Sequence, residues 1–527
     1  MFKHITIRCA LGALLLVSLI AALVLRTPQH ARATPAILNV LVNQPVAGPF
    51  PTNKQVEPTL AQNPTNPLNL VSGSIDYLSE PACSNTTPSS CPSAVGIPGI
   101  SIAGFYASFD GGLTWPCQGV IDLSAFGEYA WGDPSLAFDS RGNAYYSTLA
   151  RPFPPTTDES ATGLQPDFFV AKSTDGGCHF PSAARVSGAS PAQVDDKGSL
   201  AVDANPLSPF HDTIYAAWTI FTGRGATGAA MDQIYFARST DGGQTFSAPR
   251  PISPANSTAT TGRQGAAVSV APDGTVYVAW MASEQHRWVQ LVVASHDGGA
   301  TFGQPVVAAV ITDDFITAND YVSPLRGSSF THYVRTFPSL AVGGNGTLYL
   351  AWSNDTNGHA VILLTRSTDG GLTWSAPVAA GNVSGRSAFF ASVVVDPRDR
   401  VDLVFNALDD KPAGTAPGAG VVFYDTYFTQ SSDGGASWSL PLKISTAPSG
   451  PDGSSLNSLR AQRLGDYITA VADARGGGLF AVWTDTRNAA SCPAVDAYRA
   501  GTGSKPDVIT ACPTMFGNTD IYLGIVS

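Results

Sequence analysis

The chain reads as an all-β protein, a seven-bladed β-propeller of four-stranded antiparallel blades. Three observations lead there. An octapeptide of the form Ser-x-Asp-Gly-Gly-x-(Thr/Ser/His)-(Trp/Phe) occurs six times, at intervals of 56 to 72 residues, and a motif repeated at that period marks a repeat architecture. Each copy closes a group of short β-branched and aromatic runs separated by Gly, Asp and Asn, the pattern of strands and hairpins. A seventh group stops one strand short, while an unassigned apolar strand lies near the other end of the chain. Six blades with an irregular extension is the alternative.

Residues 1–33 carry Lys3 and Arg8 ahead of the apolar run Ala10–Leu25 and end on Ala31-Arg-Ala33, so a signal peptide cleaved after Ala33 is expected. An uncleaved anchor is the alternative, although the run is short for a bilayer span. Either leads to a secreted or cell-surface location, and residues 34–527 form the propeller. Removing 1–33 leaves 25 basic against 40 acidic residues, a formal charge of −15. That sign offers no general attraction to nucleic acid or to an anionic membrane. The oligomeric state cannot be read from the sequence.

Within each unit an inner strand, a polar turn and a second strand often ending in Trp precede the octapeptide. Examples are Pro338–Val342 with Leu348–Trp352, and Ala267–Val270 with Val276–Trp280. A third strand such as Ile234–Ala237 runs into the octapeptide, and an outer strand such as Ser375–Ala379 leaves it. The paired glycines accept positive φ, and the Asp carboxylate takes up free backbone N–H groups of the turn. The seventh unit runs Tyr467–Val471, Leu479–Trp483 and Asp520–Val526, and then the chain stops. Hydrogen-bonding Ile37–Val42 onto that last strand closes the ring and covers an open edge.

Cys9 falls in the leader, which leaves six cysteines in an exported chain, a count that favours disulfides. Cys83 with Cys91 and Cys492 with Cys512 each bracket one loop. Cys117 and Cys178 remain, and pair if neighbouring blades bring them together. No CxxC or HxxxH spacing and no nucleotide-binding Gly loop occurs, so neither a metal nor a cofactor is expected.

The six octapeptides resemble the Asp-box, or BNR, repeat of the sialidase-like propellers, over about residues 35–527. The resemblance implies that each box joins the third and outer strands on the face away from the site. One carboxylate per box is too few for calcium. On the opposite face, aligning the blades on their inner strands brings Arg263, Arg335, Arg386 and Arg463 to one mouth. Trp131, Asp195 and Gln55 follow on the remaining blades, and Arg487 in the loop Asp485-Thr-Arg-Asn488 joins the same face. Arginines grip carboxylates bidentately, and the resemblance implies an arginine triad holding the carboxylate of a sugar. The alternative is that they brace loops through acidic neighbours such as Asp133, Asp195 or Asp466.

The resemblance further implies a Tyr nucleophile, an assisting Glu and an Asp acid/base. Gly465-Asp-Tyr467 and Glu128-Tyr-Ala-Trp-Gly-Asp133 supply these types. Asp133 or Asp466 would then be the acid/base, Tyr467 or Tyr129 the nucleophile, and Glu128 its partner. The first-blade arginine motif of the family is replaced by Gln55-Val-Glu-Pro58, so any triad draws on other blades. Long loops at Ser74–Ser101, Arg151–Pro166 and Asn488–Asn518 are suited to carrying binding groups on a rigid frame. The expected partner is a glycan or glycoconjugate. Three functional classes follow: an exo-acting hydrolase of sialic acid or another anionic sugar, a non-catalytic glycan- or protein-binding propeller, or an acid-pair enzyme on neutral polysaccharide.

Overall fold

In the computed structural model, residues 35–527 are described apart from 45–47, 82–98, 154–165, 189–192, 223–230, 255–259, 286, 313–321, 325–330, 334–336, 357–358 and 410–421. Ile37–Ser527 form one unit of seven four-stranded antiparallel sheets. Blades 1 to 6 begin with the inner strands Gln55–Gln62, Glu128–Phe138, Gln193–Val202, Thr260–Val270, Ser339–Val342 and Arg386–Val395. Blade 7 is built from Thr469–Ala472, Leu479–Asp485 and Asp520–Val526, with Ile37–Leu41 as its outermost strand. Ile37 pairs with Val526 and Leu41 with Tyr522, so the N-terminal strand closes the ring. A two-stranded ribbon, Val322–Pro324 with Thr331–Tyr333, lies outside the blades.

The six boxes are built alike. In the first, Ser108 Oγ donates to Asp110 Oδ1 at 2.8 Å and accepts Gly112 N at 2.9 Å, while Thr114 donates its N–H and Oγ1 to the same carboxylate at 2.9 and 2.6 Å. Gly111 and Gly112 sit at φ 76° and 87°. A Cβ on Gly112 would fall 2.2 Å from Leu523 of blade 7, and one on Gly177 would fall 2.4 Å from Val71 of blade 1. The second glycine therefore serves the packing of each box on the preceding blade as well as its turn.

Apolar clusters fill the wedges between blades. One combines Tyr215 and Phe236 of blade 3 with Val276, Val278 and Trp280 of blade 4. Trp218, Trp280, Trp352 and Trp483 recur on the second strands and are fully buried, which accounts for that repeated aromatic as core. The inner strands are tied by hydroxyls: Ser135 Oγ accepts Leu200 N at 3.0 Å, Ser199 Oγ accepts Val268 N at 3.1 Å, and Ser392 Oγ accepts Ala470 N at 2.9 Å. Disulfides join Cys117 of blade 1 to Cys178 in the box of blade 2, and Cys492 to Cys512. Cys83 and Cys91 lie outside the described residues. Among the described residues α-helices are confined to short pieces of the last long loop, Pro493–Arg499 and Val508–Ala511. Among the described residues no helix is long and apolar enough to cross a membrane.

Candidate functional site

An axial channel of about 550 Å³ is lined by the inner strands of all seven blades. At its end near the start of those strands, away from the boxes, lies a cavity of about 120 Å³. A local device creates it. Five inner strands carry a register shift just before the residue that resumes pairing, at Thr59, Ser135, Ser199, Ala267 and Ser392. Two residues earlier in each stands one with left-handed φ: Glu57 (59°), Asp133 (51°), Lys197 (46°), Gly265 (77°) and Phe390 (56°). A bulge of this kind bends the strand and re-aims a side chain. Phe337 and Tyr467 hold the same place before Ser339 and Thr469.

The cavity walls are Asp133, Asp196, Lys197, Gln264, Arg463 and Asp466 on the polar side, and Ile75, Trp131, Leu149 and Phe337 on the apolar side. Arg463 donates to the Glu57 carboxylate through Nη2 and to Asp466 Oδ1 through Nη1 at 3.3 Å. Asp133 Oδ2 accepts Lys197 N at 2.9 Å. The Lys197 ammonium lies 3.6 Å from the centre of the Tyr467 ring, a cation–π contact, and Tyr467 Oη donates to Pro134 O at 3.3 Å. Gln264 Nε2 donates to Asp196, and Arg151 stacks over Trp131 at 3.7 Å.

Burial dominates the electrostatics. It pushes Asp196 up to about 8, helped by the neighbouring charges of Asp133 and Asp466, so this carboxyl keeps its proton at neutral pH. Burial likewise raises Glu57 and Asp466, with Arg463 pulling both back. Burial opposes the charge on Arg463, but Asp466 and Glu57 win and raise its pKa. The Tyr467 phenol is pushed well above its ordinary value by burial and by Glu57. No group of three or more His, Cys, Asp or Glu among the described residues has metal-holding geometry.

Arg463 is held from behind. Its backbone N donates to Ser454 Oγ at 3.0 Å. Arg499, on the helix that follows Cys492, donates to Ser454 O (2.9 Å), Ser455 Oγ (3.0 Å), Leu459 O (3.1 Å) and Ala461 O (3.3 Å). The stapled loop therefore braces the segment that presents Arg463. Beside it, the fully buried Lys54 donates to Asn457 Oδ1 and lies 3.7 Å from the Tyr77 ring centre.

Of the residues expected at the mouth, the structure brings Asp133, Trp131, Arg463 and Asp466 into the cavity, with Tyr467 at its floor. Among the described residues it does not bring the others there. Arg263 is fully buried, donating to Asp232 O at 3.2 Å and lying 3.8 Å from Glu284. Arg386 pairs with Asp409 and Asp425, each at 2.8 Å. Arg487 pairs with Asp485 at 2.8 Å and stacks on Tyr522 at 3.9 Å. Asp195 is buried against Ser187, and Gln55 against Asp76. Glu128 is buried in an ion pair with Arg185 at 2.9 Å, and Tyr129 is buried against Phe153. Both belong to the inner strand of blade 2 rather than to a loop. Arg335 lies outside the described residues.

Sequence reasoning missed Glu57, Asp196, Lys197, Gln264 and Phe337. A signal was available: Glu57-Pro58, Asp133-Pro134 and Phe337-Pro338 each precede a Thr or Ser of the inner strand. Aligning blades on that hydroxyl, which blade 4 replaces by Ala267, picks out Glu57, Lys197 and Phe337 two residues before it.

A model of the BNR repeat-like domain matches residues 203–412. No curated protein matches the chain. Among solved structures the chain is similar to a Hadza microbial sialidase (16% identity, 72% of this chain and 70% of that one, TM-score 0.42). It is similar to a protein of unknown function from Dyadobacter fermentans (15%, 75% and 93%, 0.43). The endosialidase of phage phi92 is a third (11%, 94% and 69%, 0.44). The chain is thus a seven-bladed β-propeller carrying six Asp-Gly-Gly turns, and residues 203–412 of it match the BNR repeat-like domain.

Proposed function

We propose that this is an exported, glycan-acting propeller whose ligand site is the cavity at the axial mouth. Residues 1–33 are its signal peptide, and the disulfides suit an oxidising compartment. The observation that carries the reading is the single cavity that gathers Asp196, whose carboxyl burial pushes up to about 8, with Asp133, Asp466 and the partly buried ring of Trp131. Hydrolysis of a glycosidic bond asks for such a set: an acid to protonate the leaving oxygen, an ionised carboxylate on the other side, and a surface for a sugar face. Asp196 is the acid and Asp133 its partner. The small size of the cavity, about 120 Å³, suits a chain end, hence exo-action.

A second reading, glycan binding without turnover, is supported by Tyr467. Its phenol is far from ionising and occupied with Pro134, which leaves no activated nucleophile of the sialidase type. A panel of fluorogenic glycosides, a sialoside included, run with the full chain and with Asp196→Asn decides between them. Turnover that Asp196→Asn abolishes supports the hydrolase. Saturable binding without turnover supports the second reading, and a folded protein that does neither refutes both.

A further inference from the structure

The two cations that line the cavity among the described residues, Arg463 and Lys197, are both engaged. Arg463 presents one nitrogen to Glu57 and another to Asp466. Lys197 lies on the Tyr467 ring, and its backbone N–H is spent on Asp133. Four carboxyl groups, Glu57, Asp133, Asp196 and Asp466, thus stand against two positive charges. The arrangement is also rigid. Gly465 leaves no room for a Cβ, which would lie 2.8 Å from Glu57 N and 2.3 Å from its Cγ. Glu57 itself is fully buried in the left-handed region. Arg499 fixes the loop behind Arg463 through three carbonyls and a hydroxyl, so the guanidinium is not placed to swing toward a ligand.

A sugar carboxylate entering this cavity meets a guanidinium already engaged by Glu57 and Asp466, the carboxyl groups of Asp133 and Asp196, and the apolar wall of Ile75, Trp131, Leu149 and Phe337. Like charges brought together at an interface are a strong means of excluding a partner. We propose that Glu57 and Asp466 set the substrate class of the mouth: by compensating Arg463 they make it take uncharged glycans and turn away sugars bearing a carboxylate. This rests on the reading of the cavity as the glycan site.

The test uses ligand pairs that differ only in charge: a methyl sialoside with its methyl ester, and methyl glucuronide with its methyl ester. Each is titrated calorimetrically into the full chain, Glu57→Gln, Asp466→Asn and the double variant. The wild-type chain is expected to bind the neutral member about tenfold or more tightly than the acid, as one unit charge at contact range warrants. The double variant should close or reverse that gap, with the single variants between. Gln and Asn keep the shape and can still accept from Arg463, and a thermal melt verifies the fold of each variant. Wild-type preference for the acid, or a neutral preference unmoved in the folded double variant, overturns the inference while leaving the glycan site intact. If the double variant alone captures the acids, the charge filter stands and the native sugar differs from the probes. Binding of no probe by either protein removes the glycan reading of the cavity, and the inference with it.

Discussion

Replacing Asn43 by Ala should unseat the closure of the ring. Asn43 follows the N-terminal strand and is 3% exposed. Its Nδ2 donates to Gln55 Oε1 at 3.1 Å and to Asp520 Oδ1 at 3.0 Å, and its Oδ1 accepts Ile521 N at 2.7 Å. One side chain therefore ties the first strand of the chain to the last and to the inner strand of blade 1. Ala leaves three buried groups without that partner, each costing about 1–3 kcal/mol. Partial relaxation brings the expected loss to about 3 kcal/mol. The assay is guanidinium unfolding followed by tryptophan fluorescence, with hydrogen exchange at the Ile521 amide as a local readout. Asn43→Asp sharpens it, because it keeps the acceptor for Ile521 but sets a carboxylate against Asp520. It should destabilise at least as much as Ala while the Ile521 amide stays better protected. A loss under about 0.5 kcal/mol for Ala, or unchanged protection at Ile521, refutes the reasoning.

Gly265→Ala places a Cβ 2.2 Å from Phe337 at a φ of 77°, so about 2–3 kcal/mol of stability should be lost through backbone strain and overpacking. The displaced ring should also weaken ligand binding at the mouth, which titration of the variant measures. Removing the Cys117–Cys178 bridge, which spans 61 residues, should cost up to about 4 kcal/mol on loop entropy, read from unfolding of the double Ser variant. In the third box, burial would raise Asp241, but hydrogen bonds from Thr245 and Ser239 hold it at about 2 against an ordinary 3.8. A depressed carboxyl stabilises the folded state above its unfolded pKa, and that contribution is lost as pH falls through the folded one. Unfolding midpoints should therefore drop between about pH 4 and 2, with a shallower slope in Asp241→Asn.

The fold was legible because its determinants are local. Each Asp-Gly-Gly turn forms within eight residues, and the missing outer strand of blade 7 could be matched to Ile37–Val42 by subtraction. The mouth was harder to read because it depends on register. Aligning the blades on their inner strands reaches Arg263, but the bulges add residues that such an alignment does not include, and Arg263 falls inside. The same alignment reaches Asp195, whereas its neighbour Asp196 lines the cavity, and in a strand one step changes the face. Gln55-Val-Glu-Pro58 was noted for the arginine it lacks, yet its Glu57 is what Arg463 binds.

The kinks of the inner strands also set the character of the mouth. Five are carried by a left-handed residue, and each of the seven blades places one side chain at the corresponding position. Those positions are filled unevenly. Tyr467, Glu57, Asp133 and Lys197 occupy four consecutive blades, while Gly265, Phe337 and Phe390 occupy the other three. The rim is thus a stencil with a wet arc and a dry arc, and a guest with one polar and one greasy flank can enter it in a single rotational setting.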